Sequence, residues 1–126
     1  MIVYSLDSDP RSGADPKFHK HSILGQLEIR DPKVIAQIHL ELFKRIESQY
    51  PGNSYTMCYN PRHGLRIFRG EETRDFQICF ECNHLNVFRN IEAEEPEWIG
   101  LETHPEELKL NVILDKAGIQ RQEHLD

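Results

Sequence analysis

Hydrophobic and polar positions alternate in some stretches of this chain and recur three to four apart in others, and the change of period marks out its elements. Between His21 and Arg30, Ile23, Gly25, Leu27 and Ile29 alternate with Leu24, Gln26, Glu28 and Arg30. That period of two predicts a half-buried strand carrying one glycine. Asp31-Pro32 follows as a helix cap with proline at the first helical position, where its missing N–H costs nothing. Val34, Ile35, Ile38, Leu42, Phe43 and Ile46 then form one apolar stripe, which predicts a helix over 32–48. Pro51-Gly52-Asn53 cannot continue it.

The middle of the chain returns to period two. Tyr55, Met57 and Tyr59 alternate with Thr56, Cys58 and Asn60. Pro61-Arg62-His63-Gly64 reads as a turn, Leu65 to Arg69 as a strand, and Gly70-Glu71-Glu72 as a hairpin loop. Arg74 to Cys82 is the most strand-like run, and Leu85 to Phe88 adds a fourth strand to the meander. Leu6 to Lys17, rich in Asp, Ser, Gly and Pro, reads as a surface loop. The segment around Pro96 and Trp98 has no sustained period and is expected to be a long ordered loop. Thr103-His104-Pro105-Glu106 is a capping box that opens a second helix, over about 104–117, with Leu108, Val112 and Ile113 on it and Gly118 as its C-cap. The expected architecture is one α+β domain: an antiparallel sheet of four to five strands packed with two amphipathic helices.

Length and composition agree with one domain. The chain has 126 residues, 38% hydrophobic and 29% charged, which fits a folded core rather than a disordered tail. The apolar start at Met1 to Tyr4 is too short for a signal-peptide core, and no window approaches the ~20 apolar residues of a membrane span. The expected location is the cytoplasm. Three cysteines, an odd number, point to thiols rather than a disulfide framework.

Charge changes the picture more than composition does. Residues 1–89 hold twelve Lys/Arg against eleven Asp/Glu, whereas residues 90–126 hold three against ten. Glu92, Glu94, Glu95, Glu97, Glu102, Glu106 and Glu107 follow one another with no Lys or Arg between residues 90 and 108. Such a block sets up a negative field that steers cationic partners. With Trp98 in its middle, it has the composition of an aromatic anchor ringed by carboxylates. The plainer alternatives are a solvated loop and a Trp98 that plugs the core. Net charge of -6 disfavours nucleic acid, whose phosphates dominate such affinity.

Candidate chemistry is sparse. Cys79-Phe80-Glu81-Cys82 has metal or redox spacing, but it lies in a strand-like run, where residues three apart diverge. A Cys/His zinc site of Cys58, His63, Cys79, Cys82 and His84 is available if neighbouring strands bring these residues together. A Cys–His nucleophile pair, Cys58 with His63 or Cys79 with His84, is the enzymatic alternative. Buried structural thiols are the simpler account. No spacing singles out two of the glutamates as a glycosidase pair. Arg62, Arg66, Arg69 and Arg74 cluster around the hairpin, and pairing with Glu71, Glu72, Asp75 and Glu81 is favoured over an anion site.

Cys58-Tyr59-Asn60-Pro61-Arg62-His63-Gly64-Leu65-Arg66 and Ile78-Cys79-Phe80-Glu81-Cys82 resemble paired segments in a group of small uncharacterised bacterial proteins. The likeness extends to the strand at Gly25–Ile29 and to Leu114–Gly118, roughly half the chain, and leaves out the acidic block. It implies a shared fold and no particular reaction, and it implies that Arg62, His63, Cys79 and Cys82 form a coupled unit. The function expected from the whole reading is a non-catalytic cytoplasmic binding protein whose acidic face meets a basic protein. An immunity or antitoxin-type inhibitor of a cationic toxin, such as a nuclease, is the concrete form. A zinc- or thiol-dependent protein centred on the cysteines and histidines is the alternative from another class, and an oligomer-forming structural domain is a third.

Overall fold

The computed structural model describes residues 1–9, 15–43, 60–80, 84–100 and 106–122, with the backbone alone for Phe43, His84, Gly100 and 106–108. Its strands are β1 (Ile2–Leu6), β2 (Lys17–Phe18), β3 (His21–Glu28), β4 (His63–Arg69), β5 (Glu72–Cys79), β6 (His84–Phe88) and β7 (Glu97–Gly100). Two helices, α1 (Pro32–Phe43) and α2 (Glu106–Lys116), complete the described elements. The strands form one antiparallel sheet in the order β2-β3-β1-β4-β5-β6-β7. No described helix is long and apolar enough to cross a membrane.

The α+β class and the antiparallel meander from β4 to β6 agree with the sequence reading. Seven strands replace the expected four to five. The short apolar start is β1, a strand inside the sheet between β3 and β4, because both its edges find partners. Leu6 and Lys17, expected as the ends of a loop, belong to β1 and β2. His63 and Gly64, expected in a turn, already pair with β1 and β5 and are buried. The second half of the acidic block is a strand, β7, since Glu97, Trp98 and Ile99 pair with Val87, Asn86 and Leu85. The expected strand at 55–60, the end of the first helix beyond residue 43, and the capping box at Thr103 lie outside the described residues, save Asn60 and Glu106.

Both helix boundaries within reach follow local chemistry. The Asp31 carboxylate accepts from the Lys33 N–H at 2.9 Å, capping α1 at Pro32. Gly118, at φ 72°, closes α2: its N–H reaches the Asp115 carbonyl at 3.1 Å, and the Ile119 N–H reaches the Leu114 carbonyl at 2.9 Å.

The sheet has two different faces. Val3, Leu65, Phe76, Ile78 and Leu85 pack against Ile38 and Leu42 of α1 and Leu110 and Leu114 of α2, forming the main core. His63 shares this face, and its Nε2–H donates to the Asn111 amide oxygen on α2 at 2.7 Å. The other face carries Asp75 and Gln77 together with a smaller cluster of Tyr4, Leu6 and Phe18. Among the described residues it is covered by the tip of the β2–β3 hairpin, not by a helix.

That cover depends on one close approach. A Cβ on Gly64 would lie 2.8 Å from Phe18 Cε1 and 3.0 Å from Cδ1, so the Phe18 ring sits directly on the glycine backbone. Phe18 is itself buried and cannot give way. We therefore expect Gly64→Ala to destabilise the fold by about 1–3 kcal/mol, as overpacking does. Urea unfolding checks this, and a wild-type midpoint would show that the ring can shift.

Candidate functional site

Asp75 is the one fully buried carboxylate among the described residues. A buried charge is costly unless paired and hydrogen-bonded, and here two groups answer it. Arg66, directly opposite on β4, donates through its Nε–H and Nη2–H to the two carboxylate oxygens, both at 2.8 Å. This fork-on-carboxylate geometry is stronger than a single contact. The guanidinium also lies 5.5 Å above the Tyr4 ring and 5.4 Å from the Phe18 ring, and those two rings stack at 4.5 Å. The second group is His19, whose Nε2 lies 2.7 Å from Asp75 Oδ2. Burial pushes the Asp75 carboxyl up, but hydrogen bonds and charges from Arg66 and His19 hold it below the usual range. The carboxylate is thus ionised and accepts only, so the proton in the His19 contact sits on Nε2.

Two residues along β5, Gln77 uses the same face differently. Its Nε2 amide donates to the carbonyls of Phe18 at 2.9 Å and His19 at 2.8 Å. Asp75 therefore holds the hairpin tip by a side chain, and Gln77 holds it by the backbone. The His19 ring stacks on Phe88 of β6, with centroids 3.7 Å apart and planes 11° apart, and meets Phe18 edge-on.

The hairpin tip is strained. Phe18 pairs with His21, so His19 and Lys20 are the two loop residues, at φ 44° and 76°. Positive φ at both loop positions is the pattern that Asn-Gly fills at least cost. A residue with a full side chain costs about 1–2 kcal/mol at each. Strain of this kind persists only where surroundings over-determine it, and it clusters at functional sites.

Beside this tip is an open cleft of about 440 Å³. One wall is the hairpin, with His19, Lys20 and His21; the floor is Gln77, Asn86 and Phe88; the other wall is the β6–β7 loop, with Ala93, Glu94 and Pro96. His21 donates from Nδ1 to the Asp7 carbonyl at 3.1 Å. Burial pushes its pKa down, partly offset by that bond and by the charges of Asp7 and Asp9, so it is neutral at pH 7. The Asn86 amide oxygen is buried with no hydrogen-bond partner among the described residues.

The acidic residues named from sequence divide three ways. Glu92, Glu94 and Glu95 are exposed on the β6–β7 loop, and only Glu94 lines the cleft. The Asn90 side chain shapes this loop by accepting from the Glu92 N–H at 2.9 Å. Glu97 begins β7 and pairs with Arg89 at 2.9 Å. Trp98 is half-buried on β7, opposite Asn86. Glu106 and Glu107 open α2, with side chains outside the described residues, as Glu102 is altogether.

The cysteine–histidine set divides as well. Cys79 is a buried thiol and pairs in register with His84. His63 is paired with Ile78, so the alternation of the strand puts it on the opposite face from Cys79. Cys58 and Cys82 lie outside the described residues. Among the described residues no group of three or more His, Cys, Asp or Glu is placed to hold a metal. Of the four arginines noted around the hairpin, Arg66 makes the Asp75 pair, while Arg74 donates to the Arg89 carbonyl at 2.7 Å.

Sequence reasoning missed His19, Lys20 and His21. Their signal is the compact run Lys17-Phe18-His19-Lys20-His21 beside an aspartate set inside the most strand-like segment. A carboxylate that a strand carries into the interior demands a cationic partner. Comparison of the chain with protein-family models, with curated proteins and with solved structures finds no match.

Asp75→Asn leaves Arg66 without its counter-charge, and we expect a loss of about 3–5 kcal/mol in unfolding free energy. The sign with pH follows from the lowered carboxyl. Its contribution is full above the ordinary aspartate value of about 4 and is lost as pH falls through the lower folded value. Urea midpoints between pH 7 and 2 check this: the acid-induced loss attributable to Asp75 should vanish in the asparagine variant.

Proposed function

We propose that this chain is a non-catalytic cytoplasmic binding protein that docks a basic protein partner on its β6–β7 loop. Its concrete form is an immunity or antitoxin-type inhibitor that sets carboxylates where a cationic toxin, such as a nuclease, expects phosphates. The observation that carries this reading is that Glu92, Glu94 and Glu95 stand exposed on one short loop, without an ion pair among the described residues. Ile91, 53% exposed, stands beside them and supplies apolar contact area. Glu97 shares its charge with Arg89 and adds less to the field. Exposed like charges on one loop steer an oppositely charged surface at a rate that falls with salt. Trp98, half-buried at the root of the loop, fits an anchor at the edge of such a contact.

The test uses the quadruple variant Glu92→Lys, Glu94→Lys, Glu95→Lys and Glu97→Lys beside a control, Glu71→Lys with Glu72→Lys, on the exposed β4–β5 turn. A basic protein captured by wild type at low salt is purified, and its association rate is measured by stopped flow against ionic strength. We expect the loop variant to associate at least about tenfold more slowly and with little salt dependence, and the control to behave as wild type. Equal rates for both variants and wild type would sink the reading.

A further inference from the structure

The cleft between the hairpin tip and the β6–β7 loop has opposite charges on its facing walls. Lys20 stands on the hairpin wall and Glu94 on the loop wall. Both are exposed, and neither makes an ion pair among the described residues. Two charges held apart across a cleft, and not collapsed onto each other, present a fixed dipole to whatever enters. Asp75 and Gln77 hold the hairpin wall in place through His19, and Asn90 shapes the loop wall.

The acceptor that the cleft offers is the Glu94 carboxylate, since the Asn86 amide oxygen on the floor is closed off from it. Phe88, Ala93 and Pro96 also line the cleft and give it apolar surface that suits carbon. The volume of about 440 Å³ is that of a small-molecule pocket. The strained tip also fits: Lys20, at φ 76°, is one of its two loop residues and lines the cleft.

We propose that the cleft binds a small zwitterion, an organic molecule carrying both an ammonium and a carboxylate, of the free α-amino-acid class. Its carboxylate meets the Lys20 ammonium. Its ammonium donates to Glu94, and its side chain lies against Phe88 and Pro96. The proposal does not rest on docking of a basic protein, although Glu94 is common to both.

The experiment is a two-dimensional amide NMR titration of the full chain with pooled, then single, free L-amino acids. Propionate and propylammonium serve as single-charge controls. Saturable shifts at Lys20, His21, Asn86 and Glu94 are expected with at least one amino acid at millimolar concentration, and much weaker ones with either control. Lys20→Met and Glu94→Gln, both at exposed positions that should leave the spectrum folded, are each expected to weaken binding by about fivefold. Glu92→Gln with Glu95→Gln should leave amino-acid binding unchanged, which separates this site from the acidic surface of the loop. The proposal is overturned if no amino acid gives saturable shifts, if a single-charge control binds as tightly, or if only one of the two cleft substitutions weakens binding.

Discussion

A buried carboxylate governs the polar half of this molecule. Asp75 sits fully enclosed in a central strand, where an unpaired charge would cost several kcal/mol even after relaxation. Arg66 answers it from the neighbouring strand, but the fork of one guanidinium is a partial answer for a group with this much acceptor capacity. The rest comes from His19, which reaches Asp75 only because the β2–β3 hairpin folds its tip over the sheet. The demand of one charge for partners thus places an element that is distant in sequence and short in pairing.

That placement decides the character of the second sheet face. Helices α1 and α2 cover the first face with an ordinary apolar core, in which Val3, Leu65, Ile78 and Leu85 are fully buried. The second face is covered by backbone and aromatic rings, with Phe18 on Gly64 and His19 on Phe88. A hairpin tip is narrower than a helix and leaves space beside it. The β6–β7 loop rises on the far side of that space, and the cleft is what remains between two walls that never meet. The strain at His19 and Lys20 is offset by the hydrogen bonds that Asp75 accepts from this tip and Gln77 donates to it.

The β6–β7 loop therefore has two sides with different prospects. Its outer surface carries Glu92 and Glu95 into solvent, where their field reaches about a Debye length. Its inner side contributes Glu94 and Pro96 to the cleft. Glu97, paired with Arg89 across the base of the loop, ties the two β-strands where it begins and ends. Glu94 is thus common to the proposed docking surface and the proposed ligand cleft, whereas Glu92 and Glu95 belong to the first alone.

The alternation from Ile23 to Ile29, the stripe from Val34 to Leu42, and the Asp31 and Gly118 caps were legible in the sequence because each depends on residues a few positions apart. The acidic block and its lack of compensating cations were legible too, since charge can be counted along a chain. Tertiary structure alone decided that the five apolar-to-neutral residues after Met1 become an inner strand, because a strand needs edges to pair with and its edges come from β3 and β4. It alone turned Glu97–Gly100 from loop to strand, by lending it the edge of β6. It set His63 and Cys79 on opposite faces through the register of β4 on β5. It also joined His19 to an aspartate 56 positions away, a contact no local spacing encodes, because a buried charge is satisfied in space and not in sequence.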